Sequence, residues 1–374
     1  TWIKNLSELE STENRKIALQ IANAGLEAIE TEEVVRSSVI LKGETLSVQG
    51  KDFDLSKFKK IKVVGFGKSS CDAALALEGI LGSRITAGAV VGISKVSCER
   101  IEIFVGTHPR PSEKNVAGSQ KIYETIKNST EEDLIIVLVS GGGSALLSYP
   151  ETEWKLGQRF YDSFLQSGKT IVELNTVRKH LSLLKGGGLA KIAYPATVIG
   201  LVFSDVPGDN FENVASGPTY ADKTTVDDAQ KIIQDNNLGE FDLIETPKDK
   251  KYFEKVHNFV LVSNKIAVEA MAKKGRELGM SASIFSTDLY DSVDGVINKL
   301  FSVSSPNSVV LAAGEPSLVV PKDAGKGGRN LHLGLEAIRN KMIDENKVFI
   351  SLASDGMDNS DVAGAVVEKK TIAK

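Results

Sequence analysis

The sequence predicts an α/β protein of two domains: a doubly wound, largely parallel (Rossmann-like) sheet domain and a second, smaller α/β domain. Three observations carry this. Apolar runs of strand length alternate with segments of helical periodicity along most of the chain. The run Leu134-Ile-Ile-Val-Leu-Val139 has six apolar residues, four of them β-branched, as expected of a strand buried on both faces of a parallel sheet. Finally, 374 residues exceed what one hydrophobic core ordinarily serves. The polar stretch 236–256, with Asn236-Asn and Pro247-Lys-Asp-Lys-Lys, marks the expected division into domains 1–240 and 250–374.

Taken in order, residues 7–29 carry apolar side chains at helical spacing (Leu9, Ile17, Ile21, Leu26) and predict an amphipathic helix before the first core strand. Val39–Lys42 and Thr45–Val48 predict a hairpin turning at Gly43-Glu44. Ile61 to Phe66 predicts a strand, Gly67 a turn, and the following residues a helix to about 81. Further strands are expected near 87–93 and 101–105, then a helix from Ser112, a plausible N-cap, to Lys127. After strand 134–139 come helices between about 153 and 193 and a buried strand at 196–203. The rhythm restarts with strands at 258–262, 281–285, 308–313 and 347–352 and helices at 264–278 and 291–303.

Composition excludes several classes. Hydrophobic residues make up 41% and charged residues 25%, and a net charge of −4 with mixed signs gives no nucleic-acid or membrane-surface footprint. No apolar run approaches the roughly 20 residues of a spanning helix, and the first residues are not a signal peptide. Cys71 and Cys98 are far apart without a Cys-x-x-Cys partner, so reduced thiols in a cytoplasmic protein are expected rather than a zinc site. The missing initiator Met and the stop at Lys374 point to processing or truncation.

In open α/β sheets, ligands lie beyond the carboxyl ends of the strands. Those ends hold Gly67-Lys68-Ser69-Ser70, Ser140-Gly141-Gly142-Gly143-Ser144, Ser204-Asp205, Gly314-Glu315 and Ser354-Asp355. Such a mixture suits phosphate, Mg²⁺ and a polar small substrate. The glycine triplet lets backbone N–H groups converge at a helix start, a cradle for an anion or else a bare tight turn. Gly65-Phe-Gly-Lys-Ser-Ser70 fails as a Walker A loop, since Lys62 stands where Gly is needed, and as a dinucleotide fingerprint, since Ser70 stands third. What survives is Lys68 at a helix N-terminus, where the dipole repels it unless an anionic ligand answers it.

Arg178 and Lys185 are two helical turns apart before a second triplet, Gly186–Gly188; they form either a basic ligand face or a solvated one. The loop Ala324-Gly-Lys-Gly-Gly-Arg329-Asn330 reads as a connection with incidental charges or as a mobile lid bearing an arginine finger. Asp205, Asp209, Glu315, Asp355 and Asp358 follow strand ends, as caps or as Mg²⁺ ligands if they cluster. The four histidines show no metal spacing, and His108 is a candidate for lining the cleft.

Together, Val63-Val-Gly-Phe-Gly-Lys-Ser69, Thr107-His-Pro-Arg-Pro111, Val139-Ser-Gly-Gly-Gly-Ser-Ala145, Leu174-Asn-Thr-Val-Arg178, Lys185-Gly-Gly-Gly188, Ala215-Ser-Gly-Pro-Thr219, Gly327-Gly-Arg-Asn330 and Ala353-Ser-Asp-Gly-Met-Asp358 resemble the type II glycerate kinase (MOFRL) family. The resemblance spans nearly the whole chain. It implies ATP- and Mg²⁺-dependent phosphorylation of D-glycerate in a cleft between two domains, with Lys68 and Arg329 catalytic. In that frame Ser140, Gly141, Gly142, Gly143, Ser144, Lys185 and Gly186 hold phosphate. Asn175, Arg178 and Asn330 hold substrate, and Asp205, Glu315 and Asp355 are the metal candidates. It implies glycerate and ATP as partners and continuation past Lys374; a homodimer is the candidate assembly, which the sequence does not determine. The 2-hydroxyl is favoured as acceptor over the 3-hydroxyl. A nicotinamide-dependent hydroxypyruvate reductase and a non-catalytic sugar-phosphate-binding module are the rival readings.

Overall fold

The structure, a computed structural model, describes residues 1–158, 171–206, 208, 210–318 and 325–372. The chain forms two compact units, Thr31–Val262 and Thr1–Glu30 with Ser263–Lys374.

The larger unit opens with a helix, Thr31–Ser38, and an antiparallel ribbon of β1 (Val39–Lys42), β2 (Thr45–Val48) and β3 (Lys51–Asp54). The third strand was not expected, because Lys51-Asp-Phe-Asp54 buries only Phe53 and otherwise reads as polar loop. Behind the ribbon stands a six-stranded sheet made of β4 (Lys60–Phe66), β5 (Ile85–Gly92), β6 (Glu102–Val105), β7 (Asp133–Ser140), β8 (Thr197–Phe203) and β9 (Val256–Val262). Its order is β6-β5-β4-β7-β8-β9 and every pairing is parallel.

β7 is buried at every position, as its unbroken apolar run predicts. Because side chains alternate, Leu134, Ile136 and Leu138 enter one core while Ile135, Val137 and Val139 enter the other. The helix Ser70–Leu81 packs its Cys71, Ala74 and Leu77 into the first core, and Glu113–Ile126 packs Ile122 and Ile126 into the second. The sheet is thus covered on both faces, which makes the unit doubly wound. The one buried charge of β4, Lys62, is paired at 3.0 Å with buried Asp133 and bonds Ser129 Oγ at 2.9 Å.

The stretch expected to be helical from 153 to 193 is interrupted. Residues 151–158, Ile171–Leu181 and Gly188–Ala193 are helical, with turns at 182–187, while 159–170 lie outside the described residues. The expected domain boundary also moves. β9 pairs with β8 from Val198↔Val256 to Phe203↔Val262 and completes the first sheet, so the division falls after Val262. The polar stretch before it is a surface connection within the unit.

The smaller unit contains β10 (Ser281–Leu289) and β11 (Ser308–Gly314), paired in parallel, and β12 (Phe349–Leu352) and β13 (Gly364–Val367), paired antiparallel. The first thirty residues belong here, against the expected 1–240 domain. The helix Glu13–Glu27 contributes Ile17 and Ile21 to one core with Val268, Ala272 and Leu311. Arg15 pairs with Glu368 at 3.0 Å and donates to Val366 O and Thr371 Oγ1, and Thr12 Oγ1 donates to Glu368 at 2.8 Å. An amphipathic periodicity shows that a face must be buried but not which sheet will bury it. Among the described residues no helix is long and apolar enough to cross a membrane.

Candidate active site

The sheet order sets the place of the site. From β4 the chain moves to β5 and β6 on one side; β7 leads to β8 and β9 on the other. The carboxyl ends of β4 and β7 therefore flank a topological switch point, where the crossovers diverge and leave a crevice. Lys68 follows β4 and the triplet Gly141–Gly143 follows β7.

Backbone bonds hold these two loops together. The Lys68 N–H donates to Gly141 O at 2.8 Å, and the Ser69 N–H donates to Ser140 Oγ at 3.0 Å. Gly67 sits at φ 121°, and a Cβ there would strike the Ser140 backbone and hydroxyl, so only glycine allows the contact. Ser70, which breaks the dinucleotide fingerprint, is buried and donates to Gly67 O at 2.7 Å. A Cβ placed on Gly142 would lie 3.0 Å from His108 Cδ2 and 3.1 Å from Lys68 Cγ, so imidazole and lysine stem both rest against that glycine. At Gly141 a Cβ would overlap the Asp205 carboxylate. Lys68, His108, the triplet and Asp205 are thus one cluster. Asp209 lies outside the described residues.

Within Ser140–Ser144 the roles divide. Ser140 is fully buried and holds the loops, and the Gly141 N–H donates to Phe203 O at 3.3 Å. Among the described residues none accepts from the N–H groups of Gly142, Gly143 or Ser144, which begin the Gly143–Leu146 helical turn. Those three are the donors an anion can use. Buried Asn115, in the first turn of the helix Glu113–Ile126 and not singled out by the sequence, braces this arrangement. Its Oδ1 accepts from the Thr107 N–H at 2.9 Å, and its Nδ2 donates to Thr107 O at 2.9 Å and Ala145 O at 3.0 Å.

Beside the triplet, Arg110, Ser144, Ser148, Glu153 and Arg178 line a pocket. Ser144 Oγ is 2.8 Å from Ser216 Oγ, which donates to Asn175 Oδ1 at 3.4 Å. Asn175 and Arg178, expected to hold substrate, therefore stand next to Ser144, the serine that follows the triplet. Ser216 carried no role of its own in the sequence, although Ala215-Ser-Gly-Pro-Thr219 is one of the stretches that carry the resemblance.

Lys185 and Gly186 are placed otherwise than expected. Lys185 is not on the Ile171–Leu181 helix, and its ammonium is enclosed, bonded to Glu153 and to Leu147 O at 2.6 Å. Burial holds it below the ordinary lysine range, against the opposing pull of Glu153. The Gly186 N–H donates to Ser216 O at 2.9 Å and the Gly187 N–H to Gly217 O at 2.8 Å, so the second triplet is a backbone splice. Neither residue is free to take phosphate.

In the smaller unit, Arg329 opens the helix Arg329–Arg339 and pairs with Glu315 at 2.8 Å. Asn330, expected on substrate, is instead held by Asp358 at 3.1 Å and Ser351 at 2.6 Å. Asp355 accepts from the Met357 N–H in an exposed turn. Among the described residues no three Asp, Glu, His or Cys side chains are grouped to hold a metal. Burial pushes both thiols up to about 11, so neither cysteine is a poised nucleophile.

Asp358 is the anchor of the Arg329 helix. It is 4% exposed and accepts from the N–H groups of Gly328, Asn330 and Leu331 at 3.1, 3.1 and 2.7 Å. Asp358→Ala is expected to cost about 2 kcal/mol in urea unfolding. Asp358→Asn, which keeps one acceptor oxygen, should lose less.

Residues 17–244 match the family described as "Domain of unknown function (DUF4147)", and residues 308–374 match the MOFRL family. The chain is 33% identical to the Glycerate 2-kinase of Pyrococcus horikoshii, covering 96% of this chain and 87% of that one. It is 31% identical to the D-glycerate 2-kinase of Thermotoga maritima, again over 96% and 87% of the two chains. The crystal structure of a glycerate kinase from Thermotoga maritima superposes with a TM-score of 0.82 at 28% identity, covering 95% of this chain and 87% of that one.

Proposed function

Because the chain belongs to the glycerate kinase family in which DUF4147 and MOFRL regions are joined, we propose that it transfers the γ-phosphoryl group of ATP to the 2-hydroxyl of D-glycerate. The observation that carries this is the switch-point cluster, where Lys68 and His108 rest on Gly142 beside N–H groups that no described residue takes. Three backbone donors and a lysine suit the phosphates of a nucleotide. The adjacent pocket, with Arg110 and Arg178, suits the carboxylate of a small acid.

Transfer is direct. The acceptor hydroxyl oxygen bonds the γ-phosphorus as the bond from that phosphorus to the β–γ bridging oxygen breaks, giving ADP and 2-phosphoglycerate. The hydroxyl proton passes to a carboxylate other than the one that holds the metal, with Asp205, Glu315 and Asp355 as the candidates. Lys68 meets the charge on the phosphates. A Mg²⁺ bound with the nucleotide would neutralise phosphate charge, and a cation that keeps most of its waters would need only one or two carboxylates from the protein. Asp205 fits that need; Glu315 is engaged by Arg329. The protein is expected to work in the cytoplasm.

Arg329 is the second catalytic residue of the proposal. Its pair with Glu315 is solvent-exposed, so exchanging that partner for a phosphoryl group costs at most about 1 kcal/mol. Arg329→Ala is expected to lower kcat about 10³-fold with KM for ATP nearly unchanged. The overall reading is tested by ADP release from Mg·ATP with D-glycerate, with phosphorus NMR of the product. A 3-phosphoglycerate signal would reverse the regiochemistry, and NAD(P)H oxidation with hydroxypyruvate in place of ADP release would make it a reductase.

A further inference from the structure

Ser216 sits in strained backbone. Ala215, Ser216 and Gly217 have φ values of 53°, 62° and 63°, a left-handed conformation that the first two, bearing a Cβ, resist. Such strain persists only where the surroundings impose it. Here the surroundings do. Ser216 O and Gly217 O accept from the Gly186 and Gly187 N–H groups, and the Ala215 methyl fills the space that a side chain on Gly143 would need. The result is a fully buried hydroxyl aimed at the phosphate loop.

Ser216 has one hydroxyl proton, and it goes to Asn175 Oδ1, which cannot donate. In the 2.8 Å contact between the two serine hydroxyls either oxygen has the geometry to donate, and with the Ser216 proton on Asn175 it is Ser144 that does so. Its lone pairs are then left for the pocket that it lines with Arg110 and Arg178.

We propose that Ser144, polarised by Ser216 and Asn175, accepts a hydrogen bond from the non-reacting hydroxyl of the acceptor substrate. Ser216 is then a specificity-determining positioning residue that selects a 2,3-dihydroxy acid over its deoxy analogue. This rests on the kinase reading given above.

The experiment compares kcat/KM for D-glycerate and for D-lactate, which keeps the 2-hydroxyl and lacks the 3-hydroxyl, in wild type, Ser216→Ala and Ser216→Gly. Glycine accepts the left-handed backbone without strain, so the second variant guards against misfolding. Where D-lactate turnover is too slow, its inhibition constant against D-glycerate replaces it. The expected result is a glycerate-to-lactate preference about tenfold smaller in both variants, with values for D-lactate and KM for ATP unchanged. An unchanged preference, with both substrates falling together, would overturn this inference alone. No phosphorylation of D-glycerate by wild type would overturn the kinase reading and this inference with it.

Discussion

Lys68→Ala is expected to lower kcat for glycerate-dependent ADP release about 10³-fold, with KM for D-glycerate within a few-fold of wild type. The size follows from the role: phosphoryl transfer is positioning plus charge stabilisation, so one removed cation at the phosphates removes a transition-state interaction outright. The fold should be untouched. What ties this loop to the triplet is the Lys68 backbone N–H on Gly141 O and the Ser69 N–H on Ser140 Oγ, both of which survive in alanine. Lys68→Arg should recover little, because a planar fork does not replace the compact ammonium carried by a stem that rests on Gly142. Unchanged melting with lost ADP release is the result that supports the assignment. Full activity in Lys68→Ala would remove Lys68 from the mechanism.

Lys185→Ala is expected to act on stability instead, costing about 3–5 kcal/mol in urea unfolding. Its ammonium is enclosed with Glu153 and Leu147 O as partners, so alanine leaves a buried carboxylate and a carbonyl unanswered and a cavity where the stem was. Glu153 in turn accepts from the Tyr149 N–H at 2.8 Å, so the loss spreads into the turn that follows the phosphate loop. The double replacement Lys185→Met with Glu153→Leu should recover much of the loss, since it removes both charges at similar volume. A cost below about 1 kcal/mol, combined with a raised KM for ATP, would return Lys185 to the phosphate site.

Those two lysines show how far local sequence reaches. Each precedes or follows a glycine cluster, and each was read as a phosphate ligand. One lies at the switch point against Gly142; the other is sealed against an acid 32 residues earlier in the chain. Asn330 and Arg329 diverge in the same way. They are adjacent in sequence, yet the amide is consumed by Asp358 and Ser351, while the guanidinium holds an exposed and exchangeable partner. Asp358 was legible as a cap or a ligand, and only its three backbone donors decide for the cap.

By itself the sequence determined the elements whose signals are local. The β-branched run of β7 predicts a strand buried on both faces, and the glycines after it predict a turn, as an anion cradle or a bare one. The alternation of strands and helices determined a doubly wound sheet with its ligand at the strand ends. The tertiary structure alone decided which partner each polar group meets. It placed the first thirty residues with the second unit, gave β9 to the first sheet, and brought Ser216 against Ser144 across 72 positions. The physical reason is that periodicity and turn propensity arise from neighbours a few residues apart. Burial, ion pairing and hydrogen-bond direction depend on groups that only the folded chain brings together.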